Sequence, residues 1–211
     1  LKETLGLEKF EAVIIARSKG IPNKEGKDTG FADALAGSYL AVQKNAPIIL
    51  TNGNADNVAR LHEYIKANVR ENGTVYILGG EAAVPESVED ISGYTVKRLA
   101  GSSRYDTNLE ILLEAGIPGD EIIVATGKSF ADSLSASAAK LPILLVKPNA
   151  TLDIAQKALL KNVAIERIRA EFVGLICGKD AGVVAYRYFD VFCEIIPLLD
   201  DSHRDLLCAR L

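Results

Sequence analysis

Short apolar runs alternate along this chain with longer stretches in which apolar side chains recur at helical spacing. Runs rich in Val and Ile, at residues 12–16 and 74–78, are typical of strands buried on both faces of a parallel sheet. Between them, apolar residues three or four positions apart predict an amphipathic helix that runs from Val58 and ends at Asn72-Gly73. The pattern therefore predicts an open α/β fold in which crossover helices join parallel strands.

An internal repeat divides this pattern in two. The segment from Phe31 to Leu35 recurs as Phe130 to Leu134, and each copy lies between two apolar runs. The simplest interpretation is two copies of one β-α-β unit. We predict a first copy over residues 1–99 and a second copy over residues 100–211, which becomes degenerate after about residue 162.

The first copy carries an insertion between its opening strand and the repeated segment. Residues 17–30 fill this place, whereas the second copy has only the turn from Thr126 to Ser129. Because the insertion is polar and rich in turn-forming residues, we expect an exposed loop. After residue 183 the repeat pattern stops, and no role follows from the aromatic-rich stretch at 186–192.

Composition and charge exclude several classes of protein. Hydrophobic residues make up 48% of the chain, which is ample for a core. The formal net charge of −4 argues against a nucleic-acid-binding protein, and no apolar run approaches the roughly 18 residues of a membrane span. Because the chain begins with Leu1 and contains no Met, we interpret it as a processed or excised piece whose signal peptide is not present.

The residue types that usually carry catalysis or metal binding are few. Cys177, Cys193 and Cys208 are odd in number and lack CxxC spacing, so we expect buried thiols rather than disulfides or ligands. His62 and His203 are expected at the surface and cannot form a triad or a metal cluster by recognisable spacing. Since nucleotide-binding fingerprints are also absent from the sequence, we predict no catalytic residue, no metal and no cofactor.

Two aspartates occupy matching places in the repeated segment. Asp33 and Asp132 are predicted in the first turn of their helices, where the helix dipole and unpaired N–H groups stabilise a carboxylate. We favour this structural role over general-base catalysis, because no partner for catalysis is recognisable.

The turn from Thr126 to Ser129 joins a predicted strand to a predicted helix. Backbone N–H groups at such a junction favour an anion, Gly127 permits a close approach, and Lys128 and Ser129 could add contacts. In the alternative interpretation Ser129 only caps the helix and Lys128 is a solvated charge.

The densest polar cluster surrounds a glycine-serine turn. Arg98 and Arg104 flank this turn in an arrangement that suits capture of a phosphate or carboxylate, with Tyr105 as a stacking surface for a sugar ring. Ser103 or Asp106 could cap a helix over residues 109–113. Alternatively, both arginines pair with neighbouring acids and join the two copies.

Residues 98–107 resemble the signature R-x-x-G-x-x-R-Y-x-T of the cell wall binding repeat 2 family. Residues 124–134 are similar to that family's strand-turn-helix motif, residues 142–146 to its next strand, and residues 75–80 to its closing strand. The resemblance covers about residues 10–161.

The resemblance implies a Rossmann-like fold and a non-catalytic module that anchors an exported protein to secondary cell-wall polymers of Gram-positive bacteria. The family's modules usually contain three repeats around a common axis, so the resemblance implies that two repeats need either more chain or self-association into a trimer-like assembly to bind the wall. Localisation is expected at the cell wall or cell surface. The predicted ligand is an anionic or sugar-phosphate glycan, and the predicted contacts are Arg98, Arg104, Tyr105, Thr126, Gly127, Lys128 and Ser129.

Two other hypotheses remain open from the residues alone. A small α/β enzyme could act on a phosphorylated or sugar substrate at the carboxyl ends of the strands, although it would need a nucleophile, metal or cofactor motif. A purely structural surface-layer segment would instead bury Arg98 and Arg104 in ion pairs.

Overall fold

A computed structural model shows two compact units, Leu1–Ala115 and Gly116–Leu211, which are described separately below. The structure describes residues 2–18, 30–117, 121–128, 134, 137–147, 152–162 and 167–170.

The first unit is a four-stranded parallel sheet with helices on both faces. Its elements are α1 (Lys2–Leu5), β1 (Phe10–Arg17), α2 (Phe31–Ala36), α3 (Ser38–Gln43), β2 (Ile48–Thr51), α4 (Ala55–Asn68), β3 (Val69–Leu78), a 3-10 turn (Glu86–Val88), β4 (Thr95–Leu99) and α5 (Arg104–Ala115). The strand order is β2-β1-β3-β4, and every neighbouring pair is parallel. This order confirms the predicted open α/β fold. It also places β1 and β3 at the point where the chain changes direction across the sheet, which is where open sheets form a crevice.

Burial on both faces explains why β1 and β3 are almost continuously apolar. On one face, Val58, Leu61 and Ile65 of α4 pack in a core cluster with alternate residues of the two strands. On the other face, α2 and α3 pack against α5. Each fully buried Ile or Leu in such a core contributes about 2 kcal/mol, so the sheet is held from both sides.

The helix predicted from Val58 exists, but its predicted end is wrong. It begins after Asn54, whose side chain accepts a hydrogen bond from Asn57 N at 2.8 Å, and it ends at Asn68 rather than at Asn72-Gly73. Asn72 and Gly73 instead lie within β3, where the register with β1 shifts. Asn72 adopts a φ of 62°, so the pair forms a local irregularity of the strand, not a helix terminus.

Helix α5 also begins earlier than predicted. It starts at Arg104 rather than at residue 109, and Ser103, one of the two predicted caps, accepts a hydrogen bond from Asp106 N at 3.4 Å. Ser103 Oγ donates to Asp106 Oδ2 at 2.9 Å, and Thr107 N donates to Ser103 O at 2.9 Å. Residues 100–115, predicted to open the second copy, therefore belong to the first compact unit.

The second unit repeats the strand order of the first. Its described elements are β5 (Glu121–Thr126), β6 (Ile143–Val146), α6 (Ile154–Asn162) and β7 (Arg167–Ala170). The order β6-β5-β7 is fully parallel and corresponds to β2-β1-β3. Two copies of one supersecondary unit are therefore present, as predicted.

Helix α6 is fixed by its first turn. Asp153 and Gln156 exchange hydrogen bonds of 2.8 and 3.1 Å in a capping box, and Gln156 Nε2 donates to Leu145 O at 2.8 Å. The strand expected at 172–177, the repeated segment's Asp132 and all three cysteines lie outside the described residues. Among the helices that the structure describes, none has the length and apolar character needed to cross a membrane.

Candidate functional site

A cavity of about 310 Å³ opens in the first unit at the carboxyl ends of β1, β3 and β4. Its position at the change of strand direction is the usual ligand position of open α/β sheets. Two guanidinium groups and a carboxylate belong to residues of its wall. The polar side chains that line it are Arg17, Asp33, Ser102, Ser103, Arg104 and Thr107.

The fold brings these residues together from distant parts of the chain. Arg17 is the last residue of β1, Asp33 lies in the first turn of α2, and Arg104 is the first residue of α5. Gly79 and Gly80 follow β3 and also line the cavity. Because the strands are parallel, all of their carboxyl ends meet at this one edge of the sheet.

Arg104 interacts with an aromatic ring and with a carboxylate. Its guanidinium carbon lies 5.9 Å from the centroid of the Phe31 ring, a cation-π arrangement. Burial raises the pKa of the Asp33 carboxyl above its usual range, and the charge of Arg104 opposes this shift. The cavity thus contains a carboxylate that water solvates poorly and that an adjacent cation compensates.

Gly79 allows the Asp33 carboxylate to lie against the end of β3. Its φ is 96°, and a Cβ at this position would lie 2.7 Å from Asp33 Oδ2. Both the backbone conformation and the close approach therefore require glycine. Because Gly79 has no side chain, the Asp33 carboxylate has room beside it in the cavity wall.

Arg17 spans the mouth of the cavity. Its Nη1 donates a 2.6 Å hydrogen bond to Ala82 O in the segment that follows β3. A backbone carbonyl group of the cavity wall therefore fixes the position of the guanidinium group.

The signature turn that begins α5 closes another side of the cavity. Gly101 N donates to Thr107 Oγ1 at 3.0 Å, and the hydroxyls of Ser102 and Ser103 both donate to the Asp106 carboxylate. A Cβ on Gly101 would collide with the Asp106 side chain and backbone, so the turn can close only over glycine.

Arg98 does not line the described cavity, but it binds the backbone of Gly79, which does. Its Nε donates to Glu89 Oε1 at 2.5 Å, and its Nη1 donates to the carbonyl oxygens of Gly79 and Val84 at 2.8 and 3.0 Å. The side chain is 17% exposed. Pairing with an acid, one of the two alternatives from the sequence, describes Arg98, and both members of the pair lie in the first unit.

Tyr105 cannot offer a stacking surface in this structure, because only 8% of it is exposed. It lies on the inward face of α5, together with Asn108, Leu109 and Leu112. The predicted sugar contact at Tyr105 is thus disfavoured by its burial within the unit.

The turn after β5 belongs to the second unit. Gly127 N donates to Val146 O at 3.1 Å and Lys128 N donates to Thr126 Oγ1 at 3.1 Å, so neither N–H is left for an anion. Thr126 is buried, Lys128 is exposed, and Ser129 lies outside the described residues. Anion binding here stays a prediction that depends on the Lys128 side chain.

Sequence analysis did not predict that Arg17 and Asp33 line this cavity. Asp33 lies in the first turn of α2, as predicted, and its carboxylate lies close to Gly79 in the cavity wall. Its recurrence as Asp132 was the available signal. His62 is partly buried against Val88 O at 3.2 Å, and no group of three potential metal ligands occurs among the described residues.

Comparison with known proteins shows relatives that share this repeat. The chain is 34% identical over 110 residues to N-acetylmuramoyl-L-alanine amidase LytC of Bacillus subtilis (strain 168), covering 50% of this chain and 21% of the relative. It is 32% identical over 129 residues to the amidase enhancer of the same organism, covering 58% of this chain and 18% of the relative. The chain thus spans about a fifth of the length of these relatives.

Two solved structures share the fold. Cwp8 from Clostridium difficile superposes with a TM-score of 0.70 at 23% identity, over 91% of this chain and 30% of that chain. Cwp6 from the same organism gives a TM-score of 0.58 at 21% identity, over 77% and 25%. The likeness confirms the Rossmann-like α/β architecture.

The model of cell wall binding domain 2 matches residues 9–89 and again residues 98–184. The two matches follow the two copies that the sequence predicted, and the second begins at the arginine signature. They cover most of the chain. The protein therefore belongs to the cell wall binding domain 2 family and is a cell-wall-binding module located at the cell wall or surface.

Proposed function

We propose that this module binds a secondary cell-wall polymer without catalysis, and that it holds an anionic or sugar-phosphate group of that polymer in the cavity of the first unit. The observation that carries the proposal is the convergence of Arg17 and Arg104 on one cavity at the strand ends. Guanidinium groups bind phosphate and carboxylate through paired, charge-assisted hydrogen bonds.

Each signature residue has a different part in this proposal. Arg104 contacts the ligand, whereas Arg98 shapes the cavity by fixing the Gly79 and Val84 carbonyl groups. Lys128 offers a second, weaker cationic contact in the second unit. Tyr105 supports α5 from its buried face.

A local cationic site reconciles an anionic ligand with a net charge of −4. At physiological ionic strength the Debye length is about 8 Å, so distant acidic side chains contribute little to the potential in the cavity. Each site can be weak when several linked sites bind one polymer, because linkage raises the effective concentration of the ligand. Self-association into a trimer-like assembly would multiply such sites, and secretion of the protein to the cell surface accords with this role.

Co-sedimentation with purified Gram-positive cell walls tests the proposal. We expect the chain to pellet with intact walls and to stay in solution after mild acid has removed the secondary polymers. Arg104→Gln should reduce pelleting about tenfold, because it removes the charge that holds the anion. Arg60→Gln, on the exposed side of α4, is the matched control and should pellet like the wild type.

Two results would contradict the proposal. Equal pelleting with intact and stripped walls would show that the ligand is not a secondary polymer. Release of a soluble product from the walls would support a catalytic role instead, so the supernatant is assayed for reducing sugar, free amine and phosphate.

A further inference from the structure

The sequence repeats and the folded units have different boundaries. The second family match begins at residue 98, yet β4 and α5 complete the sheet and the helical layer of the first unit. The arginine signature of the second repeat therefore packs on the strands of the first repeat. A repeat defined by sequence is not the unit that builds the cavity.

The cavity wall is accordingly shared between two repeats. Arg17, Asp33 and the Gly79-Gly80 turn come from the first match, whereas the turn from Gly101 to Arg104 comes from the second. Neither repeat supplies both guanidinium groups. The electrostatic contact between Asp33 and Arg104 crosses from one repeat to the other.

The volume limits what the cavity can hold. About 310 Å³ is close to the lower bound of small-molecule sites, roughly 300–1,000 Å³. A water molecule in the liquid occupies about 30 Å³, so the cavity has room for only a small ligand. Its volume suits one monosaccharide with its phosphate and is too small for an oligosaccharide. Carboxylates such as that of Asp33 accept hydrogen bonds from hydroxyl groups, and a sugar offers several of these groups.

We infer that the cavity is one composite site assembled by two consecutive repeats, in which Arg17 of the first and Arg104 of the second hold the same phosphate while Asp33 accepts a hydroxyl of the attached sugar. This inference rests on the proposed function for its ligand class. It goes further because it assigns Arg104, a signature arginine of the second repeat, to the site of the preceding repeat.

The matching strand of the second unit differs in charge. β1 ends in Arg17 and β5 ends in Thr126, which pair with Thr51 and Val146 at the ends of β2 and β6. The arginine contributed by the first repeat thus has no charged counterpart at that strand end. Within the part of the chain that the structure describes, the two-arginine site lies in the first unit.

Titration of the full chain with α-D-glucose 1-phosphate, followed by NMR chemical shifts, tests the composite site. We expect saturable binding by the wild type, and at least about tenfold weaker binding of glucose alone and of inorganic phosphate alone. Arg17→Gln and Arg104→Gln should each raise the dissociation constant about tenfold, and the double variant less than the product of the two effects, because both groups contact one phosphate. Arg60→Gln should change nothing.

Thermal melts of all variants show whether each is folded before its binding is compared. A dissociation constant within twofold of the wild type for either Arg17→Gln or Arg104→Gln would overturn the composite site, as would the absence of saturable binding by the wild type. Wall pelleting that persists in both variants would keep polymer binding by the module, but it would reject this cavity as the binding site and the composite site with it. Binding of the sugar phosphate without wall pelleting would reject the proposed function alone.

Discussion

The two units share a framework but differ in the side chains at the ends of their strands. In both, the opening strand lies between the next two strands of the repeat, in the orders β2-β1-β3 and β6-β5-β7. The first unit ends its opening strand with Arg17, whereas the second ends it with the buried hydroxyl of Thr126. The comparison teaches that apolar burial preserves the sheet while the charge at its carboxyl edge is free to change.

The first unit also shows that a repeat can be completed by its neighbour. β4 adds a fourth strand next to β3, and α5 covers the face that α2 and α3 leave open. Both elements lie at the junction where the second repeat begins. Substitutions in this segment therefore test whether a signature serves its own repeat or the preceding unit.

The largest effect is expected from Arg98→Ala. This change removes donors to Glu89 and to two backbone carbonyl groups in a side chain that is only 17% exposed. We expect the free energy of unfolding of the first unit to fall by about 3 kcal/mol, since each partner loses a charge-assisted bond. Hydrogen exchange measured by mass spectrometry should show faster opening of β1 and β3 and little change in β5 and β6.

Arg70→Ala is the matched control for that substitution. Its ion pair with Glu11 is exposed on both sides, at 60% and 56%, so we expect a change of about 0.5 kcal/mol or less. If Arg98→Ala destabilised β5 and β6 more than β1 and β3, the assignment of the signature to the preceding unit would be wrong.

The next largest effect is expected from Gly79→Ala. A Cβ would meet Asp33 Oδ2 at 2.7 Å and Ala83 Cβ at 2.9 Å, and the φ of 96° strains any other residue. We expect about 2 kcal/mol of destabilisation in urea unfolding, together with loss of sugar-phosphate binding. Gly80→Ala has open space around the new Cβ and should change stability by about 0.5 kcal/mol or less, so equal effects of the two substitutions would contradict the geometry.

The sheet was predictable from sequence because its strands are buried on both faces. Such strands require continuous Val and Ile, which distinguishes them from amphipathic helices without knowledge of tertiary structure. The end of α4 was not predictable in the same way. Asn72-Gly73 favours a positive φ in a helix terminus and in a strand irregularity alike, and only pairing with β1 decides between them.

The site was half predictable for a related reason. Arg104 lies in a local motif that the sequence displays, whereas Arg17 and Asp33 join it only through strand order. The burial of Tyr105 had a visible signal, since Asn108, Leu109 and Leu112 follow it at helical spacing on the buried face of α5. An aromatic residue on such a face packs into the core.

A smaller effect, dependent on pH, is expected at Glu114 of α5. Burial alone would raise the pKa of Glu114, but hydrogen bonds from Lys97 and Tyr76, at 3.0 and 2.9 Å, lower it overall. The same environment raises the pKa of Tyr76 to about 12, so the phenol remains a donor. We expect Glu114→Gln to lower stability by about 1 kcal/mol at pH 7.

The sign of this pH dependence follows from the lowered pKa. At pH values above the unfolded pKa of about 4.5, the ionised Glu114 carboxylate stabilises the folded state. This stabilisation is lost as the pH falls through the folded pKa. Urea unfolding at pH 7 and at pH 3 should therefore show a difference between wild type and Glu114→Gln that shrinks in acid. Glu110→Gln, exposed on the same helix, should show little difference at either pH.

The smallest effect, opposite in sign, is expected from Asp33→Asn. Burial raises the pKa of Asp33 more than Arg104 lowers it, so the folded state disfavours the ionised carboxylate. At pH values above the unfolded pKa of about 3.8, this ionisation therefore lowers stability. The amide should stabilise the first unit by about 0.5 kcal/mol at pH 7, with no gain once both forms are neutral in stronger acid. Asp56→Asn, in the exposed first turn of α4, should instead lose a small dipole interaction at neutral pH. A gain for Asp33→Asn that coincides with weaker sugar-phosphate binding would identify Asp33 as a residue retained for its ligand, whereas a loss of stability at pH 7 would assign it to the framework that the two units share.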